Sequence, residues 1–290
     1  MKFSKVLFGV PVLFAVVVAS SSQFAACTKE PVNDTTIIRD TVIVKDTVTI
    51  IDSVLCCSLT DGLIGYYNFD GGSLHDSSGL HHDIAFNNAT PAADRFGKAN
   101  SAFQFDGSSS YMTVPDNPDF AGLHAITIET EIYINGFYTG KCHGNQIVGK
   151  GLAADNGNGF FGIRMTDRST DCSQQPNLNN ETVNGNFGDD LTSGMKGFAE
   201  DSTPVVTGRW YHLVYTWDGY VAKFYTNGVL KGTVSGLPKE TFTANASSLF
   251  IGKNENPQYP YYFNGVIDEI RIYNHALCPA AVTALYKLKK

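Results

Sequence analysis

From residue 63 onward, apolar and polar residues alternate with a period of two through many short runs. The clearest is Trp210–Trp217. Tyr211, Leu213, Tyr215 and Trp217 fall on one side, and Trp210, His212, Val214 and Thr216 on the other. Alternation rich in aromatic and β-branched residues predicts a half-buried strand. Asp218-Gly219 and Asn227-Gly228 follow at hairpin spacing, where both central residues need positive φ. This stretch therefore predicts an antiparallel meander, with strands at 210–217, 221–226 and 229–235. Similar runs predict strands near 63–69, 82–87, 101–106, 110–115, 125–134, 145–150, 158–165, 195–199, 247–252 and 263–273. Pro279 to Leu288 predicts a short closing helix, with Pro279 in its first turn. Short strands at regular spacing with turn signals predict an all-β sandwich, not βαβ units.

Three stretches break the pattern. Residues 1–27 read as a targeting leader: Lys2 and Lys5 precede an apolar run from Val6 to Val18, then Phe24-Ala25-Ala26-Cys27. The run is too short and wrongly flanked for a lasting membrane helix. Residues 28–57 hold a repeat, with Asp34, Asp40, Asp46 and Asp52 six residues apart. That period does not fit a heptad, and the β-branched content disfavours helix. The repeat predicts an extended spacer; glycosylation at its Asp-Thr and Asp-Ser pairs, and β-pairing between copies, are the other readings. Residues 58–290 form the predicted folded domain. Within it, Thr166 to Gly194 is rich in Asn and Asp and predicts a long loop, either functional or decorative.

Five pieces of the chain carry a family resemblance. They are Gly65-Tyr66-Tyr67-Asn68-Phe69-Asp70 with Asp76-Ser77-Ser78-Gly79; Phe103-Gln104-Phe105-Asp106-Gly107 with Tyr111-Met112-Thr113-Val114-Pro115; Trp210 to Gly219; Phe224-Tyr225-Thr226-Asn227-Gly228; and Phe263 to Tyr273. Together they resemble the laminin-G-like, concanavalin A-like lectin and glucanase superfamily over about residues 60–288. The resemblance implies a jelly-roll β-sandwich. It also implies a structural calcium, with Asp76 and Asp268 at the matching motif positions; backbone carbonyls and waters would complete the shell. Phe24-Ala25-Ala26-Cys27 is similar to a bacterial lipoprotein box. That likeness implies acylation of Cys27 and anchoring at the outer membrane or cell surface of a Gram-negative bacterium, as an acylated cysteine anchors through the apolar burial of its chains.

Composition narrows the function. A net charge of −7 argues against a nucleic-acid partner or an anionic membrane surface. The six cysteines sit in an exported context, where pairing is favoured. Cys142 and Cys172 lie in polar loops flanking a strand pair and are predicted to join. Cys278 is predicted to pair with one of Cys56 and Cys57, taken as Cys57, because domain termini tend to lie close together. No zinc spacing is present.

Candidate catalytic groups are few. Glu129 and Glu131 alternate as the carboxylates of a glucanase strand do, but Ile134 stands where that motif carries its third carboxylate. They read as a solvated strand face. Asp268 and Glu269 are adjacent, so regular strand geometry points them to opposite faces. No G-x-S-x-G elbow appears, and His212 reads as structural. Asn156-Gly157-Asn158-Gly159 lacks the Lys and helix of a phosphate loop and reads as a turn. The sequence therefore predicts a non-catalytic recognition module. A carbohydrate is the first ligand, a protein partner in adhesion or assembly the second, and a glycoside hydrolase the third. Aromatic platforms beside amides suit sugar rings. Two segments offer them: Tyr259, Tyr261 and Tyr262 in a proline-stiffened loop, and Asn179, Asn180, Asn184, Asn186 and Asp189 in the Asn- and Asp-rich stretch.

Overall fold

A computed structural model describes residues 38–44, 47–53, 58–140, 142, 144–151, 160–167, 179–188, 197–236 and 246–288. The leader and Cys27, and also Cys57, Cys172 and Asp189, lie outside these residues. The chain divides into two units, Met1–Cys56 and Cys57–Lys290. In the first, β1 (Ile38–Val44) and β2 (Thr47–Ser53) pair antiparallel, with Asp40 opposite Ile51 and Val42 opposite Thr49. The β-branched residues of the repeat suit such a pleated pair.

The second unit opens with β3 (Leu63–Tyr67), β4 (Phe86–Asn87), β5 (Thr90–Ala92), β6 (Ala102–Asp106) and β7 (Met112–Val114). Next come β8 (Ile126–Gly136), β9 (Asn145–Lys150), β10 (Phe160–Thr166), β11 (Thr182–Gly188) and β12 (Ala199–Asp201). The meander follows as β13 (Trp210–Trp217), β14 (Ala222–Thr226) and β15 (Val229–Val234). Then β16 (Leu249–Ile251), β17 (Asn264–Tyr273) and helix α1 (Pro279–Lys287) complete it. Seven strands form one sheet in the order β12-β11-β10-β9-β16-β7-β4. The other sheet runs β15-β14-β13-β8-β17-β6-β5, with β3 also paired to β17. All pairings are antiparallel, and the two sheets make the expected β-sandwich.

Alternate residues of each strand fill the interior. Ile126, Ile128, Leu213, Tyr215, Trp217, Phe224 and Ile272 come from the eight-stranded sheet, and Met112, Val114, Ile163, Val183, Phe187 and Ile251 from the seven-stranded one. Burying each such side chain contributes about 1.5–3 kcal/mol. Tyr215 reaches across to the opposite sheet, where a Cβ at Gly185 would run into its ring. The outward face of the eight-stranded sheet carries a second apolar cluster. Ala281, Val282 and Leu285 of α1 pack there on Val214, Tyr225, Tyr273 and Leu277. Pro279 opens the helix, and Cys278 Sγ caps it by accepting the Ala281 N–H at 3.4 Å.

Three expectations change. First, residues 166–194 are not one loop: β11 lies inside them, with Val183 and Phe187 turned to the core. Second, Glu129 and Glu131 are not solvated but buried, 1% and 3% exposed. Arg95 and α1 reach over this outward face, which a local polar pattern does not foresee. Third, Asp268 and Glu269 point to the same side. The β17–β8 register slips between Ile267 and Ile270. Such a bulge sets two residues against one and re-aims a side chain. Arg95 Nη1 consequently lies 3.1 Å from Asp268 Oδ2 and 3.3 Å from Glu269 Oε2.

Candidate functional site

The outward face of the seven-stranded sheet is polar at its centre. Arg164 on β10 stands opposite Gln146 on β9 and Asn184 on β11, so strand register alone places the three on one face. Asn184 Oδ1 accepts from Arg164 Nε at 3.4 Å and from Asn186 Nδ2 at 3.0 Å. Gln146 Nε2 donates to Val148 O and Ile163 O, while its Oε1 and Asn186 Oδ1 are buried without a hydrogen-bond partner. Burial pulls the Arg164 guanidinium below its ordinary pKa, and Tyr261 lies close enough to act on it in the other direction. Glu181, at the start of β11, is wholly buried. Burial, with Asp167 adding to it, pushes its pKa up to about 8.

Tyrosines gather beside this polar floor. Tyr261 is buried and holds φ at +46°, a left-handed conformation that bulky residues rarely adopt. Gln146 N–H donates to its carbonyl at 2.8 Å, and its ring lies across Gly144, where a Cβ would press on it at 3.0 Å. Tyr138 stands 6.4 Å from both Tyr261 and Tyr262, and Tyr259 stands 6.2 Å from Tyr261. Tyr138, Tyr259 and Tyr262 are half-buried and keep part of their surface open. The loop that carries Tyr259, Tyr261 and Tyr262 is braced internally: Asn254 N–H donates to Pro260 O, Asn254 Nδ2 to Tyr259 O, and Gln258 N–H to Asn256 Oδ1.

The two segments singled out in the sequence thus meet through Tyr261, Gln146 and Arg164. Asn184 and Asn186 belong to the floor on a strand. Asn179 is exposed, and Asn180 Nδ2 donates to Asp167 O at 3.4 Å. Tyr138, Gln146 and Arg164 were missed. A polar residue on a strand signals only an outward face, and their convergence comes from register.

On the other sheet lies a buried ionic network. Arg271 Nη1 lies 3.0 Å from both Glu129 Oε2 and Glu269 Oε2, and Arg271 Nη2 donates to the Tyr66 hydroxyl at 2.8 Å. Arg95 joins Glu131, Asp268 and Glu269, and its Nη2 donates to Leu288 O beyond α1. Burial works against ionised Glu129, but Arg271 and His212 prevail and hold its pKa at about 2. For Glu131 burial prevails over Arg95, the neighbouring carboxylates add to it, and the pKa rises to about 8. Glu129, Glu131 and His212 bring one ligand atom each to within 4.8 Å of one another, a group that can hold a metal ion. Its imidazole suits a transition metal better than the all-oxygen shell of calcium.

Asp76 and Asp268 make a poorer calcium pair. Asp76 Oδ1 accepts the N–H groups of Tyr66 and Ser78, and its Oδ2 accepts the Ser78 hydroxyl and the His82 N–H. Asp268 is fully buried against Arg95, whose charge opposes a cation there. Cys142 and Cys278 are both disulfide-bonded, and the partners expected for them, Cys172 and Cys57, lie outside the described residues.

Residues 106–283 match the family model of the concanavalin A-like lectin/glucanases superfamily, and the chain belongs to that superfamily. No curated protein matches the sequence. Among solved structures, it resembles domain 4 of AbnA, a GH43 extracellular arabinanase from Geobacillus stearothermophilus, in complex with arabinotriose. Identity is 23%, coverage 78% of this chain and 98% of that one, and the TM-score 0.53. It also resembles a botulinum neurotoxin type C structure described by its interaction with two ganglioside molecules, at 16% identity, 79% and 51% coverage and TM-score 0.58. The binding domain of botulinum neurotoxin DC in complex with rat synaptotagmin II is similar at 17% identity, 79% and 52% coverage and TM-score 0.57. The chain spans about half the length of these toxin structures.

Proposed function

We propose that this chain is a non-catalytic carbohydrate-binding module whose site is the tyrosine-flanked outward face of the seven-stranded sheet. One observation carries the reading. Four tyrosines from two loops, Tyr138, Tyr259, Tyr261 and Tyr262, converge beside strands whose outward residues are amides and a guanidinium. Rings offer faces to sugar C–H groups, and amides and guanidinium match hydroxyls. The solved structures of similar fold include complexes with arabinotriose and with a protein, and accounts of ganglioside interaction, so a protein partner is the second reading. Catalysis is disfavoured because Glu129 and Glu131 are buried and bound to guanidinium groups on the other sheet.

A metal held by Glu129, Glu131 and His212 would brace the eight-stranded sheet and touch no ligand on the other, so a chelator should leave glycan affinity unchanged. The module is further read as a lipoprotein held at the outer membrane or cell surface through an acylated Cys27. Mass spectrometry of the mature N-terminus checks this, and an unlipidated start elsewhere would overturn it.

The test of the site is a glycan screen on the full chain, wild type against Tyr259→Ala/Tyr262→Ala. Each stacking platform is worth about 1 kcal/mol. The double variant should therefore bind roughly thirtyfold more weakly while melting as a folded protein. Unchanged affinity in a folded double variant would move the site elsewhere. Binding to protein but to no glycan would favour the second reading.

A further inference from the structure

Aromatic rings continue past the tyrosine loop. Phe86 on β4 and Phe250 on β16 both stand opposite Thr113 on β7, from either side. Tyr111 lies two residues before Thr113 and shares its face. The Phe86 and Tyr111 rings are 4.7 Å apart at 31°, and the Tyr111 and Phe250 rings 6.2 Å apart at 32°. At that separation Phe86 and Tyr111 stack on each other and Phe250 extends the stack, so the three rings make one contiguous aromatic platform. Lys253 Nζ links it to the tyrosines, at 4.4 Å from the Tyr111 ring, 5.4 Å from Phe250 and 5.8 Å from Tyr262. Tyr262 leads on to Tyr138, and Tyr138 to Tyr261.

The interior does not need these rings. Met112, Val114, Leu249 and Ile251 of the same strands supply the core, while Phe86 is 42% exposed and Tyr111 and Phe250 are half-buried. A contiguous exposed apolar surface of this kind marks a binding surface more often than a scattered apolar residue does.

We propose that the platform and the tyrosine cluster form one track for a linear carbohydrate chain several units long, running from Tyr259 and Tyr262 across Lys253 to Phe86. This rests on the carbohydrate reading above and deepens it from a sugar to a polysaccharide. Phe86, Tyr111, Phe250 and, across Lys253, Tyr262 follow one another along the surface, so a chain of several units can meet them in turn. Thr113 and Lys253 supply hydrogen-bonding groups between the rings, where a chain presents its hydroxyls. The platform is also continuous with the tyrosine site, which favours one long ligand over two separate ones.

The test uses a ladder of linear arabino-, xylo- and cello-oligosaccharides, from disaccharide to octasaccharide, titrated into the full chain. Three variants are compared with wild type: Tyr111→Ala/Phe250→Ala, Phe86→Ala, and Tyr259→Ala/Tyr262→Ala. Phe86 is exposed at an edge strand, so its variant keeps the test informative if the double variant fails to fold. Affinity should climb with length in wild type. The Tyr111/Phe250 variant should lose about thirtyfold on the longest oligomers and nothing on the disaccharide. Phe86→Ala should lose affinity only at the longest lengths. The Tyr259/Tyr262 variant should lose affinity at every length. Affinity that stops rising at the disaccharide, or platform variants that bind long oligomers as wild type does, would overturn the track and leave the proposed function standing. No binding by wild type to any member of the ladder would overturn the track and leave the carbohydrate reading to the glycan screen.

Discussion

Glu181 is a carboxyl in the wrong place for an anion. It is wholly buried and neither carboxylate oxygen has a hydrogen-bond partner. Burial first, and then the charge of Asp167, raise its pKa from 4.5 to about 8. Between those values the folded chain holds a proton that the unfolded chain has lost. Folding stability is therefore intact below about 4.5 and drains away as pH rises through about 8. At about 1.4 kcal/mol per pH unit, the gap corresponds to roughly 4–5 kcal/mol as an upper bound. Water entry and local relaxation reduce this, and we expect about 2–3 kcal/mol. Glu181→Gln removes the titration with little change of shape. Thermal melts of the full chain between pH 5 and pH 9 are the assay. The variant should match wild type near pH 5 and exceed it near pH 9 by about 5–10 °C, at about 2–4 °C per kcal/mol for a domain of this size. Superimposable pH profiles for the two proteins would show that Glu181 ionises normally in the folded state, and the reasoning would fail.

Arg271→Met should cost about 3–5 kcal/mol in urea unfolding, because it leaves Glu129 and Glu269 buried without their shared guanidinium. A loss under 1 kcal/mol would mean that Arg95 alone can hold the network. Gly185→Ala should destabilise by about 1–3 kcal/mol through its collision with the Tyr215 ring, read as a lower melting temperature. Non-reducing peptide mapping should recover Cys142 joined to Cys172 and Cys278 joined to Cys57; any other pairing would correct the expected bridges.

What could be read from the sequence depended on how local its cause was. β13 was legible because Tyr211, Leu213, Tyr215 and Trp217 alternate without interruption and Asp218-Gly219 closes the strand. α1 was legible from Pro279 and the apolar residues after it. β11 was hidden because Asn184, Gly185 and Asn186 are weak strand formers, and its only inward markers are Val183 and Phe187. The fate of Glu129 and Glu131 was not local at all. Their alternation was read correctly, but burial was decided by Arg95 and α1, which arrive from distant parts of the chain. The Asp268-Glu269 bulge was hidden for a related reason, since a slip in register leaves no mark on the strand that carries it. At the candidate site the tyrosines were visible by type, whereas Gln146 and Arg164 acquire meaning only through the pairing of β9 with β10.

The position of β17 bears on how the molecule comes into being. Although it is the last strand among the described residues, it lies inside the eight-stranded sheet and pairs with β8, β6 and β3. A ribosome delivers it only after every other strand has emerged. Until then β8 and β6 face each other across a vacant lane, with their backbone edges unpaired and open to chance partners. The domain thus stays open until residues 264–273 have emerged and closes in a late, long-range event, the slow kind of folding step. A chain cut just before Asn264 would lose the middle of its larger sheet, not its margin.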